Sequence, residues 1–208
     1  MYNPGRWLRT KGAPHAGQHI GQVFRNGAQL AEDVSRYIAD GLAQGDAVIV
    51  VATADRWASF VARLALLSSV DLADAVVSGQ LRVVDADVAL AALMATGMPD
   101  RDRFQDRAGT MITSGQKRFR AVRIYSDMSG LLWQKGNVRA ALRLEQFCNE
   151  LAASQPFTLL CGYLAEEKDA STYNATLGWI RSTHPENLSG GAWPDCNAGG
   201  ADIGSETE

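Results

Sequence analysis

The stretch from Ala121 to Gly130, Ala-Val-Arg-Ile-Tyr-Ser-Asp-Met-Ser-Gly, constrains the fold more than any other part of the chain. Val122, Ile124 and Tyr125 favour strand, and the apolar run stops at Asp127 before turning through Ser129 and Gly130. A short apolar run closed by small polar residues is the form of a central parallel strand. Three further stretches share it: Ala47 to Thr53, Leu81 to Asp85, and Phe157 to Tyr163. Helical stretches separate all four, so the expected fold is α/β, with a mainly parallel sheet flanked by helices. The carboxyl ends of parallel strands share one edge, and ligands of open α/β sheets bind outside it. Thr53, Asp85, Asp127 and Tyr163 are therefore expected to converge there.

Several function classes are disfavoured. A net charge of -3 over 208 residues does not supply the basic face that nonspecific nucleic-acid binding needs. The mild cluster Lys117, Arg118, Arg120 and Arg123 reads more simply as a solvated helix end. No run reaches the ~18 apolar residues of a membrane span. The first residues lack the apolar core of a signal peptide, so a cytoplasmic location is expected. Cys148, Cys161 and Cys196 form no C-x-x-C pair and no even set, and the first two read as core residues. No G-x-x-x-x-G-K-[ST] or G-x-G-x-x-G follows any strand, which argues against a phosphate cradle. No G-x-S-x-G elbow is present, and the histidines do not read as a common zinc site. The expectation is a non-catalytic protein without a metal or cofactor.

In chain order, residues 1–18 carry scattered Gly and Pro and read as a flexible lead. His19 to Arg25 is either a short edge strand or an extended entry. A helix follows from Gly27, with Leu30, Val34, Tyr37, Ile38 and Leu42 at helical spacing. Helices are also expected over 57–67, 71–79, 88–96, 101–119, 138–152 and 170–182, with Thr53 or Asp55 capping the first of these. Residues 186–208 are rich in Gly, Ser, Asn and Asp and read as a disordered tail.

Individual residues carry two readings each. His19 is either a satisfied histidine or a ligand-sensing group that titrates near neutrality. Asp127, followed by Met128, either faces the crevice or caps the next turn. Glu145 lies on a mostly apolar helical face and needs a partner if buried; Arg123 is the candidate for a structural pair. Gly162 would permit close approach of a ligand, and Tyr163 would offer its ring or hydroxyl. His184 reads as a helix-end residue favoured by the dipole.

Taken together, His19 with Phe24, the helix ending Asp40-Gly-Leu-Ala-Gln-Gly-Asp46, Val48 to Thr53, Arg123 to Met128, Leu144-Glu145, Leu159 to Tyr163 and Thr183-His184-Pro185 resemble the MEDS sensory domain of dichloromethane-responsive regulators. The resemblance covers residues 19–185. It implies a RecA-like or Rossmann-like three-layer sandwich without a P-loop, sensing a small hydrocarbon derivative or related metabolite in signalling and transcription control. The ligand residues it and the strand ends together suggest are His19, Phe24, Thr53, Asp127, Met128, Glu145 and Tyr163. Phe24 stands where the family pattern has a tyrosine, which removes a hydroxyl beside His19. No helix-turn-helix or kinase module is attached, so output is expected to pass to a partner protein, with a homodimer through a helix face or edge strand compatible with the pattern. The competing expectation is a degenerate RecA-like ATPase or scaffold, in which Asp85 and Asp127 would hold Mg²⁺.

Overall fold

A computed structural model describes residues 17–67, 70–164, 178–180, 182–184 and 186–188. The elements are β1 (Gln18–Phe24), α1 (Gly27–Ala43), β2 (Ala47–Ala52), α2 (Ala54–Leu64), α3 (Leu72–Val77), β3 (Leu81–Asp85), α4 (Ala86–Leu93), β4 (Met94–Ala95), β5 (Met98–Pro99), α5 (Arg101–Gln116), β6 (Val122–Ser126), α6 (Met128–Gln134), α7 (Val138–Ser154), β7 (Thr158–Leu164) and β8 (Glu186–Leu188). Six strands form one sheet in the order β3-β2-β6-β7-β1-β8, and every pairing in it is parallel. β4 and β5 make a small antiparallel hairpin between α4 and α5.

Side chains alternate across the sheet, as strand geometry requires. Val48, Val50, Tyr125 and Leu160 face α1, α2 and α3, whereas Ile49, Val51, Ile124 and Leu159 face α4, α5, α6 and α7. The result is a three-layer sandwich with one core on each side of the sheet. Connections running toward β3 cross on the α1 face, and those running from β3 toward β7 cross on the α7 face. A single handedness of crossover requires that segregation.

Short side chains start the helices. Asn26, Asp71, Asp85 and Asp100 each accept from a backbone N–H three residues on, at 2.9 Å. Thr53 does the same for α2 at 3.4 Å. These bonds satisfy donors that a helix start leaves open, each worth about 1 kcal/mol.

Several expectations change. The 19–25 segment is an interior strand, since β1 pairs with β7 on one side and β8 on the other. Gln18 belongs to β1, and Glu186–Leu188 belong to the sheet; the rest of the lead and tail lie outside the described residues, as does most of the expected 170–182 helix. Residues 131–133 belong to helix α6, which is absent from the helices expected from sequence. On α7, Val138 is exposed and the buried face runs through Ala141, Leu144, Glu145, Cys148 and Leu151. Arg123 does not pair with Glu145, because strand alternation sends the two to opposite faces of the sheet. It instead pairs with buried Asp46, Nε to Oδ2 at 2.5 Å, beneath the Tyr37 ring. The close approach at Gly162 is made by the Tyr125 ring, whose hydroxyl would lie 2.5 Å from a Cβ there.

Candidate functional site

Two neighbouring strands send the chain away on opposite faces at the carboxyl edge. β2 leads into α2 on one face, and β6 leads into α6 on the other, which makes a topological switch point. Asp127 stands there, fully buried, its backbone N–H donating to the Val51 carbonyl at 2.9 Å. Arg56, in the first turn of α2, places Nη1 2.6 Å from Asp127 Oδ1. The Tyr125 hydroxyl donates to the same oxygen, and the Thr53 N–H reaches the carboxylate. Burial pushes the Asp127 carboxyl above its ordinary range, and Arg56 and these donors only partly oppose it. The crevice expected at this point is therefore filled by a fixed cation paired with a carboxylate.

An open space lies beside that plug, on the α4 and α5 side. A cleft of about 360 Å³ runs over the carboxyl halves of β2 and β3. Val51, Val84, Leu93, Phe104, Met111 and Met128 line its apolar part, and Arg82, Asp106, Arg107 and Thr110 supply polar groups. It exists because α5 sits loosely on the sheet: only Phe104, Ile112 and Gly115 of its residues are buried, while Ala108 and Met111 are half-buried. Its volume falls in the range of small-molecule pockets, and an apolar lining with a few polar groups is their usual make-up.

A third arrangement lies under α7 and is closed. His19 on β1, Cys161 and Tyr163 on β7, Glu145 on α7 and His184 meet on one face of the sheet, none more than 3% exposed. Glu145 Oε2 is 3.1 Å from His19 Nε2 and 2.8 Å from His184 Nε2. The Tyr163 hydroxyl donates to Glu145 Oε1 at 2.6 Å. His19 Nε2 also lies 3.3 Å from Cys161 Sγ. One ligand atom each from His19, Glu145, Cys161 and His184 fall within 4.8 Å of one another. Burial pushes the Glu145 carboxyl up, but hydrogen bonds and charge from His184 and His19 pull it well below the usual carboxylate range. Burial lowers both imidazoles, yet Glu145 raises each above its ordinary value.

The profile of the family described as the methanogen/methylotroph, DcmR sensory domain (MEDS) matches residues 18–185. The chain belongs to the MEDS family. No protein of curated function matches it. MEDS is a sensory domain, and the parallel α/β sandwich is the frame on which this member carries the three arrangements just described.

The MEDS domain distributes the residues singled out from sequence among these places. Thr53 and Asp127 meet at the switch point, and Met128 turns from it into the cleft. His19, Glu145 and Tyr163 meet under α7. Phe24 is buried on the opposite face, in the core against α1, so β1 alternation separates it from His19. Asp85 caps α4 and is exposed. Asp127 makes no cap; its partners are Arg56 and Tyr125. Sequence reading missed Arg56, Cys161, His184 and Asn149 as parts of these constellations. The local signals were the Thr53-Ala-Asp-Arg56 run at the end of β2, where a P-loop would otherwise stand, and the family-like stretches Leu159 to Tyr163 and Thr183-His184-Pro185, which hold Cys161 and His184. Among the described residues, no helix is long and apolar enough to cross a membrane.

Proposed function

We propose that this MEDS domain is a non-catalytic sensor of a small, largely apolar organic molecule, such as a hydrocarbon derivative, and that it relays occupancy to a partner protein. The observation that carries this reading is the cleft of about 360 Å³ between α4, α5 and the carboxyl halves of β2 and β3. A halogenated or hydroxylated small hydrocarbon would bury its carbons against Val84, Phe104, Met111 and Met128. Its polar atom would face Arg82 or Thr110. The ligand acts by filling space under α5 and so favouring one seating of that helix. Such a shift is limited to the difference in affinity between the two seatings. The partner would read the exposed surface of α5, where Arg101 pairs with Glu150 of α7.

Thermal unfolding against a panel of halomethanes, short alcohols and methylated amines tests the reading. A ligand at about 100 times its Kd stabilises by about 2.7 kcal/mol. Ala108→Leu, which fills the cleft from α5, should abolish the response and leave the far-ultraviolet circular dichroism unchanged. A response that survives Ala108→Leu at full size, or no response to any of the panel, removes the proposal. The nucleotide reading has less support, since Arg56 occupies the place beside Asp127 that a divalent cation would take. Stabilisation by ATP with Mg²⁺ and by no organic molecule would favour it instead.

A further inference from the structure

We infer that the cluster under α7 is a binding site for one transition-metal cation of the Zn²⁺ class, held by His19 Nε2, His184 Nε2, Glu145 Oε2 and Cys161 Sγ. The inference stands apart from the cleft and needs no ligand there.

It begins with where the imidazole protons must be. Asn149 Nδ2 donates to the Thr183 carbonyl at 2.7 Å, which fixes the amide so that Oδ1 faces His19 Nδ1, also at 2.7 Å. An amide oxygen only accepts, so His19 carries its proton on Nδ1. His184 Nδ1 faces the Ile180 carbonyl at 2.9 Å and must likewise be protonated. In their neutral forms both imidazoles therefore direct Nε2 lone pairs at the same carboxylate oxygen, Glu145 Oε2. Three acceptors converging in a buried space need either shared protons or a cation among them, and the presence of Cys161 Sγ as a fourth donor 3.3 Å from His19 Nε2 favours the cation. An imidazole that donates its far N–H to a carbonyl or amide, leaving the near nitrogen free, is the usual arrangement of a metal-ligating histidine.

The spacing agrees. With metal–nitrogen and metal–oxygen bonds of roughly 2.0–2.2 Å and a metal–sulfur bond of roughly 2.3 Å, tetrahedral donors stand roughly 3.3–3.6 Å apart. Three of the six donor separations are 2.8, 3.1 and 3.3 Å and all six fall within 4.8 Å, so the short pairs open and the wider ones close by about an ångström to admit the ion. Two imidazoles, a thiolate and a carboxylate suit a borderline divalent ion rather than Mg²⁺ or Ca²⁺. Tyr163 holds the other carboxylate oxygen at 2.6 Å, which leaves Oε2 directed inward. Binding forms four metal–ligand bonds, and the Cys161 thiol proton, with any proton shared at Oε2, passes to solvent.

The test uses the full chain, reduced and freed of metal by chelation, then titrated with Zn²⁺ and separately with Co²⁺. The expected result is one ion per chain and a visible Co²⁺ spectrum of tetrahedral form with a thiolate-to-metal charge-transfer band. Cys161→Ser should lose that band. Asn149→Ala, which removes the partner of His19 Nδ1 and the bond to the Thr183 carbonyl but no metal donor, should weaken Zn²⁺ about 10–100-fold. His184→Ala should abolish tight uptake, and circular dichroism checks that it folds. No uptake by the folded parent overturns the inference, and so does uptake unaffected by Cys161→Ser and Asn149→Ala. A chain that takes metal yet ignores every organic probe refutes only the sensor reading; one that responds to an organic probe yet takes no metal refutes only this one.

Discussion

Removing the Arg56 side chain is a direct way to measure what the switch-point plug contributes. Asp127 is fully buried, and its only charged partner among the described residues is the Arg56 guanidinium, 2.6 Å away with 15% of its side chain exposed. Arg56→Met keeps much of the apolar stem and deletes the charge. It leaves a buried carboxylate whose remaining support is the Tyr125 hydroxyl and the Thr53 N–H. Breaking one side of a buried pair costs about 3–5 kcal/mol. The same loss raises the Asp127 carboxyl further above its ordinary range, because the cation that opposed burial is gone. The sign of the pH dependence follows. Asp127 already sits above its ordinary value, so the folded state holds its proton more readily than the unfolded chain does. Such a group favours folding below the unfolded value of about 3.9, and that contribution is lost as pH rises through the folded value. The variant should therefore be less destabilised at pH 4.5 than at pH 7. Asp127→Asn should cost less, because Arg56 can turn toward solvent, and the double variant should recover much of the loss. Urea unfolding followed by tryptophan fluorescence at several pH values measures all three. Equal destabilisation at pH 4.5 and pH 7, or a double variant as unstable as the sum of the singles, would refute the reasoning.

Three other outcomes are expected. Gly21→Ala should destabilise by about 1–3 kcal/mol as an overpacked contact, since a Cβ there would stand 2.7 Å from both His184 Nδ1 and Ile180 Cγ2; calorimetry reads it, and a neutral result would mean that Ile180 and His184 do not pack on β1. Arg123→Met should cost less than the same kind of change at Arg56, because Arg120 Nη2 remains 2.8 Å from Asp46 Oδ1; comparing their urea midpoints at pH 7 decides it. Burial pushes the Asp33 carboxyl up to about 6, against Arg36, so its ionisation penalises folding as pH rises from about 4 to 6. Asp33→Asn should then raise the midpoint at pH 7 and change it little at pH 4; an equal change at both would show that Asp33 ionises as freely in the folded chain as in the unfolded one.

Much of the frame was legible because strands and helices are written locally. Val48 to Ala52 and Val122 to Ser126 are apolar runs short enough for buried strands, and the polar residues that stop them, Thr53 and Asp127, do meet at one edge. Leu30, Val34, Tyr37 and Ile38 announced the buried face of α1 through spacing alone. The candidate sites were legible only in part. His19 and Glu145 stood out as polar residues in apolar surroundings, but their shared partner lies on another element, and Arg123 was the wrong choice because strand alternation sends it to the other face. The cleft has no sequence mark, since it results from α5 burying few residues, and looseness of packing is a property of the assembled layers.

Thus the chain by itself determined that it would be a parallel α/β domain without a phosphate loop, since side-chain periodicity and glycine spacing act over a few residues. Only the tertiary structure decided which charges meet. Strand order places β1 between β7 and β8, and this brings His19 to Cys161, 142 residues away, and to the segment carrying His184. A buried charge must be neutralised by whatever the fold sets within about 4 Å, and no local pattern records that neighbour.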